Sequence, residues 1–177
     1  MKRNEIKKLA LSAIICALSV VVIILGCVID VVDLTACAVA SGAVAFACIE
    51  LRGKYPYLIY GVTAALALIL FPGCTASIYY VVFMGYYPII KRFLEKIPGI
   101  FCLIGKLAAF NAALGVIALL SKFLFISEEA TTGTALIVTI IIFANIFFVV
   151  FDMALTVITT AYLKHFRKKW GIGRFLD

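Results

Sequence analysis

Residues 2–29 read KRNEIKKLALSAIICALSVVVIILGCVI, and this stretch indicates how the chain folds. Four basic residues precede an apolar run from Leu9 to Ile29. A helix needs about 20 apolar residues to cross a bilayer, whereas the apolar run of a cleaved signal sequence has roughly 7 to 15. The stretch therefore predicts a retained transmembrane helix.

The rest of the chain has the same character. Of its 177 residues 66% are hydrophobic and 14% are charged, and the mean hydropathy is +1.19, which is beyond the range of water-soluble domains. The apolar stretches run unbroken, unlike the alternating strands of a membrane barrel. We therefore predict an all-α membrane protein, a single domain over residues 1–177 that lies in the lipid bilayer as a bundle of about six transmembrane helices, near 6–28, 34–51, 57–71, 76–90, 99–126 and 134–163.

The basic residues give this bundle an orientation. Sixteen Lys and Arg are present, and fourteen of them fall before the first apolar run, at 52–54, at 91–96, or after residue 163. Because positive residues accumulate in cytoplasmic loops, this distribution predicts a cell-membrane protein with both termini in the cytoplasm. It also accounts for the net charge of +7 without a nucleic-acid partner.

Two charged residues, Lys106 and Asp152, fall well inside predicted spans, away from the span ends. A charge at the bilayer centre costs at least about 2.5 to 3.5 kcal/mol, so such residues are paired or line a wet cavity. Counted from the nearest basic residues, both lie at similar depth, which predicts an ion pair with either a structural or a ligand-binding role. Asn145 shares a helical face with Asp152 and, like Asn111 on span five, is a candidate to bind a ligand; an interhelical hydrogen bond is the other interpretation for Asn111.

A second group of candidates lies at the predicted outer side. Carboxylates and aromatic faces suit a flat heterocycle that carries hydrogen-bond donors, and we expect such residues to rim a ligand entrance at Asp30, Asp33, Tyr79 and Tyr80. A solvated turn is the alternative for the two aspartates. Three of the six cysteines, Cys27, Cys37 and Cys74, also fall near this side, where a disulfide is conceivable.

Enzymatic functions find little support. The single histidine, His165, lies in the basic tail, which removes a Ser-His protease, a His-ligated haem and a two-histidine metal site. The sequence has no phosphate-cradling Gly-rich loop. We predict no catalytic residues, no metal site and no cofactor.

Small residues mark the first span. Ala13 and Ala17 lie four residues apart, and Ala10 lies one turn earlier. Small residues at this spacing let two helices approach closely in lipid. The pattern is compatible with packing inside the bundle and with docking to a partner helix.

The chain has 177 residues, about six predicted spans, negligible loops and a basic N-terminus that leads into an Ala-xxx-Ala first span. In these features it resembles the substrate-binding S components of energy-coupling factor (ECF) transporters. The resemblance implies uptake of a vitamin or a similar small-molecule nutrient, bound near the outer side. It also implies that Ala13 and Ala17 dock onto a scaffold transmembrane subunit. Two cytoplasmic ATPase subunits would drive release of the ligand.

Two other functions are compatible with the same residues. One is a small homodimeric secondary transporter with Lys106 and Asp152 in an ion or proton relay. The other is a structural or assembly membrane protein, in which the polar residues only fasten helices together.

Overall fold

A computed structural model of the chain describes residues 3–51, 53–96, 100–124 and 134–166. These residues form helices and short connections, with no strand among them, so the predicted all-α class is confirmed. The seven α-helices are α1 Arg3–Val28, α2 Asp33–Glu50, α3 Tyr55–Leu70, α4 Thr75–Tyr79, α5 Tyr87–Leu94, α6 Ile100–Leu124 and α7 Thr134–Ala161. The predicted outer loop at 127–133 and the basic tail from residue 167 lie outside the described residues.

Four of these helices are long and apolar enough to cross a membrane, and they are α1, α2, α6 and α7. The α3 helix is apolar but shorter. The segment that contains α4 and α5 is interrupted by a π-helical turn, Tyr80–Met84. The architecture is compatible with a multi-pass membrane protein.

The predicted fourth span, 76–90, ends too early. α4, the π turn and α5 follow one another with right-handed helical backbone through Gly85 and Tyr86, and α5 continues to Leu94. Lys91 and Arg92 therefore belong to a helix and not to the loop after it. This shift of one turn moves Lys91 into the bundle.

The two ends of the bundle are fastened differently. At the end we call the basic end, α2 connects to α3 through Gly53, whose φ of +63° is readily adopted only by a residue without a side chain. Proline then starts α3 and also α5, where its missing N–H costs no hydrogen bond. At the opposite end, the disulfide end, Cys27 of α1 is bonded to Cys74 before α4, with Cα atoms 5.7 Å apart. Cys37 is a buried free thiol.

Small residues bring α1 and α2 together. A Cβ atom placed on Gly26 would lie 2.7 Å from the Cβ of Ala36, so this contact requires glycine. Aromatic rings instead join the π turn to α6 and α7: Phe83 packs edge-on against Phe110, and Phe110 stacks on Phe148 with ring centroids 4.5 Å apart. The core is thus tight between α1 and α2 and aromatic around Phe83.

Candidate functional site

Two oppositely charged pairs meet between α5, α6 and α7. Lys106 donates to Asp152 Oδ2 at 2.9 Å, so the ion pair predicted from the sequence is present. Lys91 bonds to the same carboxylate, and Glu95 Oε1 lies 3.4 Å from Lys91 and 3.3 Å from Lys106. We call Lys91, Glu95, Lys106 and Asp152 the charge cluster.

The remaining bonds of the cluster come from neighbouring hydroxyl groups. Tyr87 donates to Asp152 Oδ1 at 2.6 Å, and Lys91 donates to the Thr156 hydroxyl at 2.6 Å and to the Asp152 carbonyl at 2.8 Å. Thr156 lies one turn beyond Asp152, on the polar face of α7 predicted from the sequence. Because each charge has several partners, these bonds offset the cost of desolvation, and the cluster can fasten three helices.

The sequence-based account missed Lys91. Its side chain is 8% exposed, and that of Lys106 is 9% exposed, so the bundle holds two buried lysines where one was expected. Lys91 was assigned to a cytoplasmic loop because Arg92 and Lys96 follow it. One feature of the sequence could have indicated a helical Lys91: it lies four residues before Glu95, and side chains at this spacing face one another on a helix.

Lys106 lies early in α6, which begins at Ile100. Six residues of helix place Lys106 about 9 Å from the start of α6. Its contact with Glu95, just after the end of α5, places the charge cluster near the basic end of the bundle and not at its middle.

Asn111 and Asn145 form the predicted interhelical hydrogen bond. Asn111 Nδ2 donates to Asn145 Oδ1 at 2.9 Å, and Asn145 Nδ2 donates back to Asn111 Oδ1 at 3.2 Å. Each amide also donates to a carbonyl one turn earlier on its own helix. The pair joins α6 to α7 and is separate from the charge cluster.

A second set of polar groups lies toward the disulfide end. Four hydroxyl groups are buried on four neighbouring segments and make no hydrogen bond of standard geometry with the described residues. We call them the hydroxyl layer. They belong to Ser19, Ser41, Thr63 and Tyr80. Counted along their helices from the disulfide end, they lie five to nine residues deep, or roughly 8 to 14 Å. They therefore share one level of the bundle.

The hydroxyl layer differs from the other hydroxyl groups of the chain. Ser12, Thr156 and Thr160 each donate to a carbonyl one turn earlier, which is the usual solution in apolar surroundings. Thr63 instead lies next to the Cys16 thiol and the Tyr80 hydroxyl and interacts with both, although none of the four hydroxyl groups makes a hydrogen bond of standard geometry with the described residues. An unsatisfied buried hydroxyl group costs about 1 to 3 kcal/mol, so an added hydrogen-bonding group at this level would be favourable.

The predicted outer rim is only partly assembled. Tyr79 is half-buried and lies near Asp33, whose Oδ1 atom is buried without a partner among the described residues. Tyr80 is fully buried, so its assignment to an exposed rim was wrong; it belongs to the hydroxyl layer. Gly85 leaves room for the Tyr60 and Tyr80 rings, because a Cβ there would lie 2.7 Å from Tyr60 and 2.9 Å from Tyr80. The side chain of Asp30 lies outside the described residues.

The small residues of α1 face outward. Ala10, Ala13 and Ala17 are all exposed, whereas the α1 residues that contact α2 and α3 include Ile15 and Cys16. Packing inside the bundle, one of the two interpretations of this motif, is therefore wrong. The alanines form a shallow strip on a surface that otherwise carries large apolar side chains.

Comparison with known protein families, curated proteins and solved structures finds no match.

Proposed function

We propose that this chain is a membrane-embedded substrate-binding subunit for uptake of a vitamin or a similar small organic nutrient. It works with a separate scaffold subunit and ATPase subunits, as the S components of ECF transporters do. It has six membrane spans, and both termini are cytoplasmic, as the distribution of Lys and Arg predicts.

The observation that carries the binding role is the hydroxyl layer. Its groups combine donors and acceptors without a formal charge, which suits the uncharged polar atoms of a small molecule. Asp33 and Tyr79 lie between this layer and the disulfide end, the predicted outer side. The ligand enters past these two residues and exchanges hydrogen bonds with water for hydrogen bonds with the layer.

The exposed alanine strip of α1 supports the proposal of a scaffold subunit as partner. Ala10, Ala13 and Ala17 offer no side-chain bulk, so a helix of the scaffold subunit approaches the α1 backbone closely there. Small residues that pack nothing within the bundle gain contacts only when a second helix lies against them.

The charge cluster favours the second candidate, a secondary transporter. It connects Asp152, whose side chain is 16% exposed, through two lysines to Glu95, which is 45% exposed, and such a chain of ionisable groups is typical of proton relays. Ligand flux into liposomes driven by a proton gradient, without added ATPase subunits, would establish this alternative.

The test begins with the small molecule that the chain retains. The detergent-purified protein is analysed by native mass spectrometry, and any bound compound is identified and used in uptake assays with cells that contain the natural partners. Ala13→Trp should retain the compound yet lose uptake, because a bulky ring keeps the partner helix away. Thr63→Val should lose the compound, because it removes a hydroxyl group from the layer.

Leu18→Trp is the matched control on α1. Leu18 is 61% exposed and lies about 100° around the helix from Ala17, so a ring there should leave uptake intact. Full uptake by Ala13→Trp would contradict docking through the alanine strip. Full binding by Thr63→Val and by Ser41→Ala would contradict the assignment of the ligand to the hydroxyl layer.

A further inference from the structure

A cavity of about 370 Å³ opens at the basic end, between α2, α5 and α7. One wall is apolar and includes Ile49 and Leu163. The polar side chains that line it are Lys91, Arg92, Glu95 and Thr159. The cavity therefore combines a hydrocarbon surface with a cluster of charges.

The charges around this cavity do not balance. Among the described residues that line it, Lys91 and Arg92 supply two positive charges and Glu95 supplies one negative charge, which leaves one positive charge in excess beside the neutral Lys106–Asp152 pair. Because Lys91 is paired with Asp152 and Glu95, this excess lies on Arg92, which is exposed at the cavity wall. An anion in the cavity would restore neutrality.

Arg92 provides the donors for such an anion. It donates one N–H to the Cys48 carbonyl at 3.0 Å, which is its one hydrogen bond within the described part of the chain. A guanidinium group carries five N–H donors in a planar fork that matches two oxygens of a phosphate group. Donors therefore remain available at the cavity wall.

Glu95 provides a negative charge beside the same cations. It reaches both buried lysines through a single oxygen, at 3.4 and 3.3 Å, and its side chain is 45% exposed. These long contacts to an exposed side chain are weak compared with the bond from Lys106 to Asp152 at 2.9 Å. Glu95 thus acts as an internal anion that a stronger one displaces.

We propose that this cavity binds the phosphate group of an anionic membrane phospholipid, with the free donors of Arg92 facing the phosphate and the wall of Ile49 and Leu163 facing an acyl chain. Basic pockets between helices at the cytoplasmic side suit such head groups. Soluble phosphate shares the charge but has no hydrocarbon to fill the apolar wall. The inference rests on the membrane location and orientation in the proposed function, but not on its nutrient or its partner subunits.

The test is native mass spectrometry of the full chain in detergent, titrated with phosphatidylglycerol or with phosphatidylcholine of the same acyl chains. We expect preference for phosphatidylglycerol, and a loss of about tenfold in its affinity for Arg92→Gln, because a charge-assisted hydrogen bond is removed. Arg92→Lys keeps the charge but loses the planar fork of donors. Its affinity for phosphatidylglycerol should lie between those of the unaltered protein and Arg92→Gln. Glu95→Gln should raise the affinity by roughly threefold to tenfold, because the competing anion is gone.

Lys54→Gln is the matched control, because Lys54 is an exposed cation at the same end. Equal binding of the two lipids, or equal effects of Arg92→Gln and Lys54→Gln, would overturn the proposal. Inorganic phosphate is added as a competitor, and full displacement of the lipid by phosphate would assign the cavity to a soluble anion instead. Thermal unfolding of each variant verifies the fold. None of these outcomes depends on nutrient uptake, so the proposed function is tested separately.

Discussion

The α1–α2 pair and the α6–α7 pair are both apolar, but they are built into the bundle in different ways. In α1 and α2, 39% and 44% of the most apolar stretch is buried within the protein, whereas in α6 and α7 only 17% is buried. The first pair approaches closely through small residues such as Gly26 and Ala36. The second pair is held by aromatic stacking and by polar side chains, including Asn111 with Asn145 and Lys106 with Asp152.

This difference shows two ways to join helices in lipid, where apolar surface alone gives little preference for a neighbour. Small residues gain dispersion contacts through close backbone approach, and these contacts tolerate no added volume. Polar side chains select a partner because an unpaired polar group is costly in hydrocarbon. We therefore expect α1 and α2 to be sensitive to side-chain size, and α6 and α7 to be sensitive to charge.

The largest effect is expected in the charge cluster. Asp152→Leu leaves Lys91 and Lys106 buried with only exposed Glu95 as a counter-charge, so it should lower the free energy of unfolding by about 3 to 5 kcal/mol. Lys106→Leu should cost less, because Lys91 still neutralises Asp152. The free energies are measured by denaturant unfolding in detergent.

The double variant Lys106→Leu/Asp152→Leu makes this prediction specific. It leaves one lysine, Lys91, with one carboxylate, Glu95, so the double variant should be more stable than Asp152→Leu alone. Losses that simply add would show that Lys106 and Asp152 act independently.

A smaller effect is expected where α1 meets α2. Gly26→Ala places a methyl group 2.7 Å from the Cβ of Ala36, and since neither group can rotate away the helices must separate. We expect a loss of about 1 to 3 kcal/mol in the free energy of unfolding, measured in the same way.

Gly42→Ala is the control for this prediction, because a Cβ on Gly42 meets no atom within 4 Å. It should be neutral or stabilising by at most about 1 kcal/mol, as alanine favours a helix more than glycine does. Equal destabilisation by both substitutions would mean that close packing does not hold α1 against α2.

The smallest effect is expected for the asparagine pair. Asn111→Leu removes the hydrogen bonds to Asn145 but leaves apolar surface that lipid covers, so the loss should be about 0.6 kcal/mol. The double variant Asn111→Leu/Asn145→Leu should cost no more than either single one, in the same unfolding assay. A loss larger than that of Gly26→Ala would reverse the expected order of polar and packing contacts at this position.

The sequence alone determined the helices and some of their partners. Long apolar runs between basic or turn residues predicted all-α structure, because backbone groups in lipid must be bonded within one segment. The Lys106 to Asp152 pair was predicted from cost, since charged side chains in such runs need partners, and Asn111 was expected to bond to another helix, but its partner Asn145 was not predicted. Their six-span arrangement in the membrane and the orientation of the termini remain predictions.

Only the tertiary structure decided which face of each helix turns inward. The sequence predicts that Lys91 lies in a loop. In the structure Lys91 is a buried partner of Asp152, because α5 continues for another turn. Ala13 and Ala17 have the same spacing whether they pack inside or outside, and the contacts of Ile15 and Cys16 turn them outward. No periodic pattern in the sequence indicates the hydroxyl layer, because its four members come from four different segments. Such a site exists only when independent helices are brought to one level, and composition and spacing along a single chain do not contain that information.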